Sequence, residues 1–165
     1  MGITLRIATM SDLPLIVDIY NQVIPGHQVT ADLKPVTVDQ RREWFLTHSA
    51  DHYPLWVIIK DDLMVGWLSF SAFYGRAAYA KTAEISIYLD RSVQGQGIGS
   101  QVLEMVPAQV TLTGLKVLLA YIFSSNLPSI KLFKKFGYEQ WGFLPAVAEL
   151  DQRPNDLVIM GKHFD

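Results

Sequence analysis

The nine residues SVQGQGIGS (92–100) place three glycines at alternate positions between two segments of different periodicity. Upstream, TAEISIYL (82–89) reads as a strand. Downstream, from 98 to about 112, apolar residues recur at helical spacing, with Val102, Leu103 and Val106 as the inward stripe. A strand, a glycine-rich turn and a helix in that order call for an α/β domain. A backbone without β-carbons at Gly95, Gly97 and Gly99 can also lie directly against a ligand. Successive amides leading into a helix N-terminus suit an anion.

Four readings of this segment compete. A nucleotide P-loop needs Gly-Lys-Ser/Thr after its spacer, and no such triplet follows here. A dinucleotide fingerprint fits Gly95 and Gly97 but meets Ser100 where its third small residue belongs. About twenty residues on, where an acidic ribose ligand is expected, the chain reads LLAYIF without a carboxylate. The third reading takes Gln94-x-x-Gly97-x-Gly99 as the unit, a pyrophosphate cradle. The fourth is a plain strand-to-helix turn, which glycines alone would satisfy.

The rest of the chain builds one domain over residues 1–165. Residues 4–7 alternate as a short strand. Thr9-x-x-Asp12 reads as a capping box before a helix carrying Leu13, Ile16, Val17 and Tyr20, which ends before Pro25-Gly26. A second helix starts at Thr37 with Gln40 three residues on, and turns Trp44 and Phe45 inward. Residues 55–60 and 64–73 read as an antiparallel hairpin turned at Asp61-Asp62, followed by a loop over 74–79. Pro107 is expected to kink or split the helix after the glycines. Residues 117–123 (VLLAYIF) form a strand covered on both faces, and a short helix runs from Pro128 to Phe136 and stops at Gly137. Two last strands, 139–143 and 157–162, are joined by a turn around Arg153-Pro154-Asn155. The order βααβββαβαββ describes an α/β domain with a mixed sheet.

Composition narrows the function. With 165 residues, half of them apolar and 18% charged, the chain is globular and long enough to bury about 70% of its unfolded surface. A net charge of −2 gives no electrostatic reason for a nucleic-acid partner. Having no cysteine excludes disulfides, thiolate metal sites and a cysteine nucleophile. The opening MGITLRIATMSD lacks the apolar core of a signal peptide, and no window reaches the ~18 apolar residues of a membrane span, so a cytoplasmic protein without a membrane partner is expected.

Taken together, Gln94-Gly95-Gln96-Gly97-Ile98-Gly99, the IYL before it, Asn126 after the next strand, SIKLFKKFGY and the late EQWGFLP resemble the GNAT N-acetyltransferases over essentially the whole chain. The set FYGRAAY, TAEISIYL, GQGIG and SSNLPSIKLFKKFGY is similar to the phosphinothricin/methionine sulfoximine branch. The resemblance implies a single-domain GNAT fold: a mixed, mostly antiparallel sheet, split at the acyl-CoA site and flanked by helices. It implies direct acetyl transfer from acetyl-CoA to the amine of a small substrate, without a metal, in a homodimer.

By the same resemblance, Ile87, Tyr88 and Leu89 would offer backbone groups to the pantetheine arm. Gln94, Gly95, Gln96, Gly97, Ile98, Gly99 and Ser100 would hold the pyrophosphate, and Asn126 would reach the pantetheine from across the split. Glu84 would be the catalytic base, or would hold substrate; a solvated strand glutamate is the plainer alternative. Tyr74, Gly75, Arg76, Glu84, Ile85 and Ser86 would line the acceptor pocket, with Arg76 suited to a carboxylate or phosphinate, although a solvated loop arginine fits its position equally well. Phe73 and Tyr79 could wall that pocket. Position 133 departs from the family, because phenylalanine stands where relatives carry Tyr or His to protonate the thiolate. Tyr121 and Tyr138 are the substitutes in view, each also readable as a packed aromatic.

Other features are plainer. His48 and His52 have a spacing that suits a metal on one helix face, but no further ligand lies near them in sequence. Lys131, Lys134 and Lys135 read as a solvated face or a contact for a CoA phosphate. His27 and His163 stand in no recognisable context. Two alternatives stay open beside a small-molecule acetyltransferase: an enzyme for a protein N-terminus or a polyamine, and a non-catalytic acyl-CoA-binding module, which Phe133 makes credible.

Overall fold

Strands and helices follow as β1 (Thr4–Ile7), α1 (Leu13–Asn21), α2 (Val38–Leu46), β2 (Leu55–Lys60), β3 (Leu63–Ala72), β4 (Thr82–Leu89), α3 (Ile98–Thr113), β5 (Val117–Phe123), α4 (Leu127–Lys135), β6 (Glu139–Leu150) and β7 (Arg153–His163). The computed structural model describes residues 2–26 and 30–165, so His27 lies outside the described residues. The strands form one seven-stranded sheet in the order β1-β2-β3-β4-β5-β7-β6. Every neighbouring pair is antiparallel except β4 and β5.

That parallel pair shapes the molecule. It holds over only three rungs, Thr82↔Val117 to Glu84↔Leu119. Beyond Glu84, β4 stays on β3 while β5 continues along β7, so the sheet opens as a V between them. The core fills both faces. Ala83, Ile85, Leu118, Ala120 and Ile122 pack with Val102, Leu103 and Val106 of α3 on one face. On the other, Leu13, Ile16, Val17 and Tyr20 of α1 cover Leu55, Val57 and Trp67.

The caps behave as their chemistry requires. The Thr37 hydroxyl accepts from the Gln40 amide at 3.2 Å, and the Gln40 side chain accepts from the Thr37 amide at 2.9 Å. The Thr9 amide donates to the Asp12 carboxylate at 2.7 Å, although the turn it starts is 3-10 and α1 follows it. Asp12 also pairs with Arg6 at 3.0 Å. Asp61 and Asp62 take φ of 51° and 63°, the left-handed pair of a tight hairpin turn.

Two expectations fail here. Pro107 does not split α3, which runs as one helix from Ile98 to Thr113. It lies on the exposed side, while Val102, Leu103, Val106 and Val110 anchor both halves of the helix in the core. The last hairpin turns at Asp151-Gln152, with φ of 52° and 61°, and Arg153-Pro154-Asn155 belong to β7. Pro154 is tolerated because the hairpin is a two-strand ribbon at that point, with β6 at the sheet edge. Both strands therefore run longer than the residue pattern predicts, with register shifts between Gln140 and Gly142 and between Leu144 and Ala148. Among the described residues, no helix is long and apolar enough to cross a membrane.

Candidate active site

The V between β4 and β5 opens into a cavity of about 610 Å³. Its walls are the unpaired edge of β4 from Ile85 to Leu89, the glycine turn, Ala120 to Ile122 of β5, and the first turns of α4. Ile87, Tyr88 and Leu89 thus present backbone to the cavity on the side away from β3, as a strand awaiting an extended partner would.

The glycine turn is held from behind. The Gln22 side chain donates to Asp90 and accepts from the Arg91 amide, both at 2.9 Å. Asp90 in turn accepts from the Ser92 amide at 2.9 Å. These bonds use up the amides before the turn. None of the six amides from Gly95 to Ser100 finds an acceptor among the described residues, and five of those six residues line the cavity, Gln96 being the exception. Gly97 caps α3 with φ of 77°, a conformation that strains any residue with a β-carbon. At Gly99 a β-carbon would stand 2.9 Å from Cδ2 of Leu132 on α4, so the end of that side chain would have to shift. The result is a row of free N–H groups at a helix N-terminus, the arrangement that binds phosphate.

Gln94 lines the cavity, whereas the Gln96 side chain points outward, accepting from Lys60 at 2.8 Å and donating to the Ser92 carbonyl. Asn126 lines the far wall. It caps α4 by accepting from the Ser129 amide at 3.4 Å. Lys131, Lys134 and Lys135 do not line the cavity.

Glu84 sits at the vertex of the V, on the last paired rung, with Ile85 and Ser86 next to it in the cavity wall. It is half-buried and its carboxylate has no hydrogen-bond or ion-pair partner among the described residues, so burial holds its pKa above the ordinary carboxylate value. Strand alternation puts Glu84, Ser86 and Tyr88 on the face covered by α1 and α2. Tyr121 lines the cavity across the split. Its phenol is pushed up first by burial, then by the nearby Glu84 and Tyr74.

Phe133 also lines the cavity and packs edge-on against Tyr138 at 4.9 Å. Tyr138 is 3% exposed, its hydroxyl has no hydrogen-bond partner among the described residues, and it does not line the cavity. Of the two tyrosines weighed as proton donors, only Tyr121 faces the cavity.

Tyr74, Gly75 and Arg76 lie outside this cavity, in the exposed loop that joins β3 to β4 at the Glu84 end. Tyr74 and Gly75 reverse the chain with φ of 58° and 68°. Phe73, Tyr74 and Tyr79 form an aromatic cluster with centroids 4.4–5.7 Å apart. Arg76 is exposed and has no ion-pair partner among the described residues. His48 and His52 do not converge, His52 packing on Tyr53 at 4.1 Å and His163 on Trp141 at 4.8 Å. No group of His, Asp and Glu among the described residues could hold a metal ion. The pattern of residues did not bring forward Ser71, opposite Glu84 on β3, and offered its partner His48 only as a metal candidate. The signal for Ser71 is the alternation of β3, and reading it requires the register.

Comparison with known proteins agrees with this geometry. Residues 16–138 match the model of the acetyltransferase (GNAT) family. The chain is 45% identical to YwnH of Bacillus subtilis (strain 168), provisionally named a phosphinothricin acetyltransferase, over 98% of this chain and 99% of that protein. It is 30% identical to the L-methionine sulfoximine/L-methionine sulfone acetyltransferase of Pseudomonas aeruginosa, over 100% of this chain and 96% of that protein. A crystal structure of a GNAT superfamily phosphinothricin acetyltransferase from Sinorhizobium meliloti, in complex with acetyl-CoA, superposes with a TM-score of 0.91 at 29% identity, covering 99% of this chain and 89% of that one. The chain belongs to the GNAT acetyltransferase family.

Proposed function

We propose that the protein transfers the acetyl group of acetyl-CoA to the amine of a small amino acid analogue of the methionine sulfoximine or phosphinothricin class. The observation that carries this reading is that one split of the sheet has, among the described residues, six amides without an acceptor at the glycine turn and a half-buried carboxylate without a partner at its vertex. The names of the relatives point to the same substrates.

Acetyl-CoA supplies an acetyl thioester. The amides of Gly95 to Ser100, with Gln94, hold its pyrophosphate. The open edge at Ile87 to Leu89 and Asn126 on the opposite wall hold its pantetheine arm. Gln96 helps from outside, tying the turn to Lys60. Glu84 takes a proton from the attacking amine, and its raised pKa makes it a stronger base than an exposed glutamate. Tyr121 gives a proton to the departing sulfur in place of the group that position 133 lacks. Tyr74, Gly75 and Arg76, with Ile85 and Ser86, frame the acceptor, and Arg76 pairs with its acidic group.

The protein works as a cytoplasmic homodimer in this reading. Trp141, Phe143, Leu144 and Val147 on the edge strand β6 are each more than 40% exposed, and a second copy would cover part of this apolar surface. Sedimentation of the purified protein gives a dimer mass if so, and a monomer mass removes the claim.

Release of free CoA across an amine panel containing methionine sulfoximine and phosphinothricin tests the function. Turnover with either supports it. Turnover only with polyamines or peptides moves the substrate class. Thermal protection by acetyl-CoA with no turnover would leave a binding module.

A further inference from the structure

Glu84 faces Ser71 directly across the β3–β4 ladder, on the same side of the sheet. Opposite residues in such a pair have β-carbons about 4.5–5.5 Å apart. The Ser71 hydroxyl lies 3.3 Å from His48 Nε2, and His48 Nδ1 lies 3.0 Å from the Trp44 carbonyl. A carbonyl oxygen can only accept, so Nδ1 carries the imidazole proton and Nε2 is bare. Ser71 therefore donates its single proton to Nε2, and only its lone pairs remain for other partners. Burial favours the neutral imidazole that this arrangement needs.

The face of the sheet that bears Glu84 thus carries two hydrogen-bond acceptors and no donor between them: the Glu84 carboxylate in the cavity wall and the Ser71 oxygen opposite it, one strand away from the split. We propose that Ser71, oriented by His48, is the second acceptor for the substrate amine and restricts the site to primary amines; this rests on the acetyl-transfer reading above. A neutral primary amine has two N–H groups and one lone pair. With the lone pair aimed at the thioester carbon, one N–H meets Glu84 and the other meets Ser71. As the N–C bond forms, the C–S bond breaks and its electron pair leaves on sulfur. The first N–H proton passes to Glu84, while the second stays on Ser71 and becomes the N–H of the product amide. A secondary amine has one N–H in its reacting form and leaves one acceptor unpaired. Ser71 is then a specificity residue that touches substrate, and His48 is a positioning residue that acts through it.

The test compares the best primary amine of the panel with its N-methyl derivative in the wild type, Ser71→Ala, His48→Leu and His48→Gln. In Ser71→Ala, KM for the primary amine should rise about ten-fold and the preference for primary over N-methyl amine should shrink about ten-fold, with KM for acetyl-CoA unchanged. His48→Leu should move both quantities the same way, because the freed hydroxyl can turn its proton toward Glu84. His48→Gln should restore most of the loss, since a carboxamide oxygen can accept from Ser71. Unchanged KM and preference in Ser71→Ala and His48→Leu, with a working wild type, would overturn the inference and leave the acetyl-transfer reading intact. A rise in KM for acetyl-CoA together with a lower melting temperature would overturn it in favour of a structural role. A wild type that releases no CoA with any amine would overturn both.

Discussion

The two loops that flank β4 differ in their relation to the cavity: one lines it and the other lies outside it. The glycine turn at its C-terminal end uses backbone: free amides from Gly95 to Ser100, shaped by the positive φ of Gly95 and Gly97 and braced by Gln22 and Asp90. The loop at its N-terminal end, residues 73–81, uses side chains: an aromatic cluster and an arginine standing in solvent outside the cavity. A backbone site depends on a few residue types at fixed positions. A side-chain site tolerates many sequences and depends on register and neighbours. The first kind of loop should therefore be brittle to single substitutions and indifferent to the acceptor, and the second the reverse.

The largest effect is expected at Gly97. Gly97→Val forces a branched residue to φ near 77° and covers the amide row, so acetyl-CoA binding measured by calorimetry should be lost. Retained binding would mean that the amides are not the anchor. On the other loop, Arg76→Ala should raise KM roughly ten-fold for acceptors with a carboxylate or phosphinate and leave acetyl-CoA binding alone. If KM for acidic and neutral acceptors changes equally, Arg76 has no part in recognition. Tyr121→Phe, across the split, should lower kcat by roughly ten-fold at most, because a thiolate leaves well near neutral pH. An unchanged kcat would show that sulfur departs without this hydroxyl.

The smallest effect concerns stability. Burial raises the folded-state pKa of Glu84, so its neutral form suits the fold, and ionisation opposes folding increasingly as pH rises through that pKa. Glu84→Gln should raise the melting temperature at neutral pH. The gain should vanish below about pH 4, where the carboxyl is protonated in both folded and unfolded chains. Equal melting temperatures at both pH values would mean that the carboxylate is not desolvated.

This division also explains what could be read before the fold was known. The glycine turn was legible because Gln94-x-x-Gly97-x-Gly99 lies between a strand and a helix, and Gly97 takes a left-handed φ that favours glycine. The first hairpin turn was legible because two aspartates follow an apolar run. The last was not, because Pro154 and Asn155 mimic a turn, while the turn itself is made by Asp151 and Gln152 in the left-handed region. Pro107 misled for a related reason: local propensity predicts a break, and burial on the opposite side of α3 outweighs it. Glu84 could be located on its strand, but its lack of a partner could not. Ser71 and His48 are thirteen or more positions away from it in the chain, and only the β3–β4 register sets Ser71 opposite it and the packing after α2 sets His48 on Ser71.

The central claim is that cofactor holding and proton removal reside in separate parts of one site, the glycine turn and Glu84. The most direct test measures acetyl-CoA affinity and amine-dependent CoA release side by side in the wild type and Glu84→Gln. The account predicts unchanged acetyl-CoA affinity and a turnover lower by roughly 10²-fold or more. Normal turnover in Glu84→Gln, or a loss of turnover matched by an equal loss of acetyl-CoA affinity, would contradict it.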